Sequence, residues 1–99
     1  MAYKIRWTPE AEKTFDAIIL YLDEKWTERE IVNFVIKTND LINLIATYPR
    51  MFKYSSKTEI RVGFVTNHIS LFYKIEQNDQ FIILLSFWDN RQDPTKRKY

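Results

Sequence analysis

The chain has 99 residues, 45% of them apolar and 16% aromatic, enough for one hydrophobic core and too short for two, so a single domain spanning residues 1–99 is expected and disorder is excluded. It carries no cysteine and one histidine, His68, which excludes disulfides, thiolate metal sites, thiol nucleophiles and a histidine-built metal centre within one chain. The net charge of +2 is unevenly divided: residues 1–47 hold 6 Lys/Arg against 8 Asp/Glu, and residues 48–99 hold 9 against 5.

The N-terminus Met1-Ala2-Tyr3-Lys4 lacks the charged start and long apolar stretch of a secretory signal, and no apolar run is long enough to span a bilayer. A soluble, cytoplasmic protein without membrane association is the expectation. Tyr3, Ile5 and Trp7 alternate with Lys4 and Arg6, the period of a short half-buried strand. Thr8, Pro9 and Glu10 then read as an N-cap, a first-turn proline and an acid near the positive helix end. The helix that follows places Ala11, Phe15, Ile18, Ile19, Leu22 and Trp26 on one face.

Thr27 and Glu30 stand at capping-box spacing, with Trp26 before the cap and Ile31 after it as a hydrophobic staple. A second helix from Glu28 carries the stripe Ile31, Phe34, Val35, Thr38, Leu41, Ile42 and Ile45, and Pro49 ends it. The two helices form an antiparallel hairpin joined by a tight turn.

Beyond a polar, basic loop from Arg50 to Lys57 the period changes to two. Ile60, Val62 and Phe64 share one side of a strand, with Arg61, Gly63 and Val65 on the other. Asn67 marks a turn, and Ile69, Leu71, Tyr73 and Ile75 alternate with Ser70, Phe72, Lys74 and Glu76. Gln77–Gln80 is the next turn, and Phe81–Trp88 is apolar on both faces, as a central strand should be, until Asp89-Asn90 breaks it. The order β-α-α-β-β-β predicts an α+β fold with the helical hairpin packed on one face of a mainly antiparallel four-stranded sheet. The first strand pairs with an edge or inserts between neighbours.

Several chemistries lack their residues. A phosphate cradle of the Walker or dinucleotide kind needs several glycines, and Gly63 is alone, so no nucleotide cofactor is expected, and no metal. The acids fall on helix surfaces and in turns, without a recognisable catalytic pair. His68 stands beside Asn67 at a hairpin without nucleophile-elbow glycines, as a surface turn histidine would.

Positive charge on a sheet remains. If Ile60, Val62 and Phe64 cover the helices, Arg61 projects from the uncovered face, either as a functional group or as a solvated arginine. Lys53 and Lys57 precede it, Arg91 follows the last strand, and the four can converge on one anion-binding surface. In the last ten residues Arg91, Lys96, Arg97 and Lys98 oppose only Asp93, making a tail that is either a basic contact for an anionic partner or solvated charge.

Glu59-Ile60-Arg61-Val62, Ser70-Leu71-Phe72-Tyr73-Lys74-Ile75, Phe81-Ile82-Ile83-Leu84-Leu85-Ser86-Phe87 and Arg91-Gln92-Asp93-Pro94, in that order after a helical hairpin, resemble the RelE/ParE toxin superfamily from Tyr3 to Pro94. The resemblance implies the toxic half of a bacterial type II toxin–antitoxin pair, with a cognate antitoxin encoded beside it. RelE-like members bind the ribosome and cut mRNA by activating a ribose 2′-hydroxyl. ParE-like members inhibit DNA gyrase and need no nuclease site.

Carried over from the nuclease pattern, Arg61 and Arg91 match the arginines that stabilise the pentacovalent phosphate, and Lys53 or Lys57 supplies a general base. Tyr99 stands in for the terminal tyrosine, though it lies farther from its arginine than in the family pattern. The Arg-Gln-Asp-Pro ending also resembles the plasmid-stabilisation, ParE-leaning branch. Ribosome-dependent mRNA cleavage is the first expectation, ParE-like gyrase inhibition the second, and a non-toxic module that binds antitoxin or RNA the third. Phe72, Tyr73, Phe87 and Trp88 are expected to pack the sheet against the helices or the antitoxin.

Overall fold

The computed structural model describes residues 2–78 and 80–99. Met1, part of the N-terminal reading, and Asp79, within the turn expected at Gln77–Gln80, lie outside the described residues. The elements run β1 (Lys4–Trp7), α1 (Pro9–Lys25), α2 (Glu28–Thr47), β2 (Ile60–Phe64), β3 (Ile69–Glu76) and β4 (Phe81–Asp89), with a single 3-10 turn at Pro94–Lys96.

Both helices start where their caps require. The Thr8 hydroxyl accepts the Ala11 N–H at 3.0 Å and donates to the Leu84 carbonyl at 2.8 Å, so one side chain caps α1 and ties it to the sheet. Thr27 and Glu30 complete a reciprocal capping box at the start of α2. Thr14 reinforces the α1–sheet contact by accepting the Phe87 N–H at 2.9 Å.

The strand order is β1-β4-β3-β2, with β1 parallel to β4 and the other pairs antiparallel. β4 is therefore central, which accounts for its apolar residues on both faces. Between β3 and β4 the register shifts at Phe72/Tyr73: Phe72 faces Ser86 and Tyr73 faces Leu84, leaving Leu85 as an extra residue. This bulge lets both Leu84 and Phe87, three positions apart, enter the core under the helices.

That core joins Ala11, Ile18 and Leu22 of α1 and Phe34, Leu41, Ile42 and Ile45 of α2 to Leu71, Tyr73, Ile82, Leu84 and Phe87 of the sheet. At one end Phe15 stacks on Phe34 at 5.8 Å between ring centres and lies 5.2 Å from Phe87, which in turn stacks on Trp7 at 5.5 Å. Trp26 meets Phe34 edge-on at 6.4 Å, holding the hairpin turn to the core.

The face assignment of β2 is the reverse of the expectation. Arg61 pairs with Tyr73 and Gly63 with Leu71, and directly paired residues share a face, so Arg61 and Gly63 lie on the helix side. Gly63 makes the point sterically: a Cβ there would stand 3.1 Å from a Leu41 methyl of α2 and 3.4 Å from the Phe52 ring. Ile60, Val62 and Phe64 consequently face away from the helices. Val62, Phe72 and Ile83 are 8%, 2% and 6% exposed, a second apolar layer on the face without helices.

No described helix is long and apolar enough to cross a membrane.

Candidate functional site

Residues 53–55 run beside the outer edge of β2 and join it through an isolated bridge. The Val62 N–H donates to the Lys53 carbonyl at 3.0 Å, the Ser55 N–H donates to the Ile60 carbonyl at 2.7 Å, and Tyr54 pairs with Arg61. Tyr54, Arg61 and Tyr73 therefore form one row across the sheet on the helix side. The Arg61 guanidinium lies 4.1 Å from the centre of the Tyr54 ring, and its Nη1 donates to the carbonyls of Phe52 at 2.6 Å and Arg50 at 3.3 Å. Arg61 thus does not project from the open face, as its sequence pattern suggests; it holds the loop between α2 and β2.

Tyr73 holds the same loop. Its hydroxyl donates to the Pro49 carbonyl at 2.6 Å, and burial pushes its phenol pKa well above the ordinary range, against a smaller downward pull from the Arg61 charge. Where β2 begins and β3 ends, a polar cavity of about 420 Å³ is lined by Arg50, Tyr54, Glu59, Arg61 and Lys74 together with the β3 end.

Arg91 lies elsewhere. Its Nε and Nη2 make a two-pronged contact with the Asp89 carboxylate at 3.0 and 2.7 Å, and its backbone N–H donates to the same group at 2.9 Å. The side-chain hydrogen bonds from Arg91 hold the Asp89 carboxyl below its usual pKa, opposed by burial, while the same bonds raise that of Arg91. The pair borders a cavity of about 580 Å³ between α1 and the end of β4, lined by Tyr21, Phe87 and Trp88 among others.

Lys53 stands over Phe64, 5.7 Å from the ring centre, and borders a third cavity of about 380 Å³ on the open face with Val62, Phe72 and Arg97. Lys57 is exposed in the turn before β2, where its N–H donates to Ser55 Oγ and its carbonyl accepts the Ile60 N–H. Tyr99 packs 5.8 Å from Phe72, beside Arg97 at 5.6 Å, and Lys98 pairs with Glu10. The basic tail therefore lies on the open face.

The expected convergence of Lys53, Lys57, Arg61 and Arg91 is not what the fold builds. Arg61, Lys53 and Arg91 border three different cavities, and Arg91 is already engaged by a carboxylate. Sequence reasoning passed over Asp89, read only as a strand breaker, and Tyr54, whose pairing with Arg61 depends on the loop returning along β2. The one available signal for Tyr54 was its place in a basic loop beside an edge strand.

Residues 5–94 match the family described as the ParE toxin of type II toxin–antitoxin systems, parDE. The chain belongs to this toxin family. Among solved structures the ParE-family chain is similar to the chromosomal ParDE toxin–antitoxin system from P. aeruginosa, at 13% identity and a TM-score of 0.74, with 89% of this chain and 96% of that one covered. It is also similar to the isolated E. coli RelE toxin, at 11% identity and TM-score 0.64 over 95% and 90% of the chains, and to the M. tuberculosis RelBE2 complex, at 14% and 0.61 over 90% and 99%. No curated protein matches the sequence. These likenesses bear out the expected fold, two helices on a four-stranded mixed sheet, and the family match makes this ParE-family chain the toxin of a type II toxin–antitoxin pair.

Proposed function

We propose that the chain arrests growth by ParE-like inhibition of DNA gyrase, held in check by a cognate antitoxin, and does not cut ribosome-bound mRNA. The observation that carries this reading is the dispersal of the basic residues. Cleavage through a 2′-hydroxyl requires a general base within hydrogen-bond reach of that hydroxyl and cationic groups on the same phosphate. Here Arg61 is tied to loop carbonyls, Arg91 to Asp89, and Lys53 borders the opposite face from Arg61. A toxin that acts by binding needs no such convergence, only a stable surface.

The family match to ParE supports the same reading. The RelBE2 and P. aeruginosa ParDE structures are of toxin–antitoxin systems, which supports a cognate antitoxin for this chain as well. The deciding experiment is to add purified protein to a gyrase supercoiling assay and, in parallel, to translating ribosomes with a defined mRNA. Loss of supercoiling with intact mRNA is expected. Cut mRNA with undisturbed supercoiling would return Arg61, Arg91, Lys53, Lys57 and Tyr99 to a nuclease mechanism.

A further inference from the structure

We propose that the polar cavity where β2 begins and β3 ends receives a carboxylate of an acidic peptide segment on a partner chain, with Arg61 as the two-pronged clamp and Arg50 and Lys74 as supporting charges. The inference rests on the reading of the chain as one half of a protein pair and is independent of which target it inhibits.

The geometry of Arg61 is the starting point. A guanidinium carries five N–H donors in a fixed plane. In Arg61 the Nη1 side is engaged by the carbonyls of Phe52 and Arg50, and the plane is held against the Tyr54 ring. Among the described residues no acceptor engages Nε or Nη2, and this is the edge that binds a carboxylate through two parallel hydrogen bonds. The donor edge is therefore oriented before any ligand arrives, which lowers the ordering cost of binding.

The charge around that edge is unbalanced. Arg50, Arg61 and Lys74 line the cavity against one acid, Glu59, and among the described residues none of the three cations forms an ion pair. The site contrasts with Arg91, whose equivalent edge is filled by Asp89 at 2.7 and 3.0 Å. In effect, the Asp89–Arg91 contact displays within the same chain the pairing that the Arg61 cavity lacks.

Between a carboxylate and a nucleic-acid strand, the arrangement favours the carboxylate. A strand is held by cations spaced along a groove and by aromatic faces open to bases. The cations of this cavity cluster at one end of the sheet and not along a groove, and Tyr54 has one face taken by Arg61.

The test is calorimetric titration of the full chain with a terminally blocked octapeptide of alternating Glu and Ala, and with an oligothymidylate of matched charge. Expected are binding of the peptide in preference to the oligonucleotide, an affinity loss of about tenfold in Arg61→Lys, and losses of several-fold in Arg50→Ala and Lys74→Ala. Arg61→Lys keeps the charge and a donor to the loop, and Arg50→Ala and Lys74→Ala leave the Arg61 contacts in place, so the site is also tested by two variants that do not touch the fastening of the loop. Absence of peptide binding, peptide binding that all three variants leave unchanged, or preferential oligothymidylate binding lost in the same variants would each overturn the proposal. Because the titration contains no gyrase, its failure leaves the target reading standing, and failure of the supercoiling assay leaves the cavity proposal standing.

Discussion

Arg61 and Tyr73 are direct partners across the β2–β3 ladder, and each reaches beyond the sheet to a carbonyl of the same loop, Phe52 for the guanidinium and Pro49 for the phenol. The segment leaving α2 is thereby fastened at two points on one strand pair. It returns along the edge of β2, covers donors and acceptors that would otherwise be open to another chain, and forms a wall of the basic cavity. Fold and candidate site share these two side chains, so their substitutions should be read first as changes in stability.

Tyr73→Phe removes the hydroxyl while keeping the ring and leaves the Pro49 carbonyl without its partner. A cost of about 1–3 kcal/mol is expected, seen as a lower midpoint in thermal or urea unfolding. The raised phenol pKa adds a pH signature. Below about pH 10 both folded and unfolded chains keep the proton and the group contributes no pH dependence; above it the unfolded chain ionises first, so stability falls as pH rises. The alkaline loss should be smaller in Tyr73→Phe, and an identical alkaline limb in both proteins would refute the assignment.

Arg61→Ala should destabilise by about 1–2 kcal/mol, because two loop carbonyls lose a charged donor and Tyr54 loses its stacking partner. Arg61→Lys should recover part of that loss. Equal stability of Arg61→Ala and wild type in urea unfolding would make the arginine a solvated group, which is what its sequence pattern implies when Ile60, Val62 and Phe64 are taken as the buried side.

The origin of that reversal is instructive. Helix starts were legible because Thr8-Pro9-Glu10 and Thr27 with Glu30 are local signals, complete within one turn. The role of β4 as the central strand was legible because its apolar run has no polar side. The face of β2 was not, since its alternation sets Ile60, Val62 and Phe64 against Arg61 and Gly63 and so points the apolar side at the helices, whereas the face is decided by register with β3, a long-range property. Gly63 was the discriminating residue: its missing Cβ marks the side that α2 approaches. The scattering of Lys53, Arg61 and Arg91 follows from the same choice, since moving Arg61 to the helix side separates it from Lys53 on the open side.

Asp89 and Arg91 should govern part of the acid stability. The Asp89 pKa is lowered in the folded chain, so the contact is at full strength above the unfolded carboxyl value of about 4 and is lost as pH falls through the lower folded value. Arg91 is half exposed, which limits the effect through solvent screening. Asp89→Asn should therefore be less stable than wild type at neutral pH and show a shallower decline below about pH 4. Parallel acid limbs in circular dichroism melts would remove Asp89 from the pH dependence.

The tail offers the most direct view of the open face. Arg97 and Tyr99 pack on Phe72, itself 2% exposed, and Lys98 reaches Glu10 near the start of α1, so the last residues cross the sheet from the end of β4. The exposed Lys98–Glu10 pair contributes little in water, and the ring contact of Tyr99 with Phe72 contributes about 0.5–1.5 kcal/mol. Deleting Lys96–Tyr99 should lower the unfolding midpoint modestly, uncover Phe72 and increase binding of a dye that reports exposed apolar surface. If the tail also serves toxicity, the truncated chain should inhibit growth less on induction, and any RNA association should show a weaker salt dependence. Unchanged dye binding would mean that the tail does not cover the sheet in solution, and unchanged toxicity would reduce its four basic and aromatic residues to packing and solvated charge.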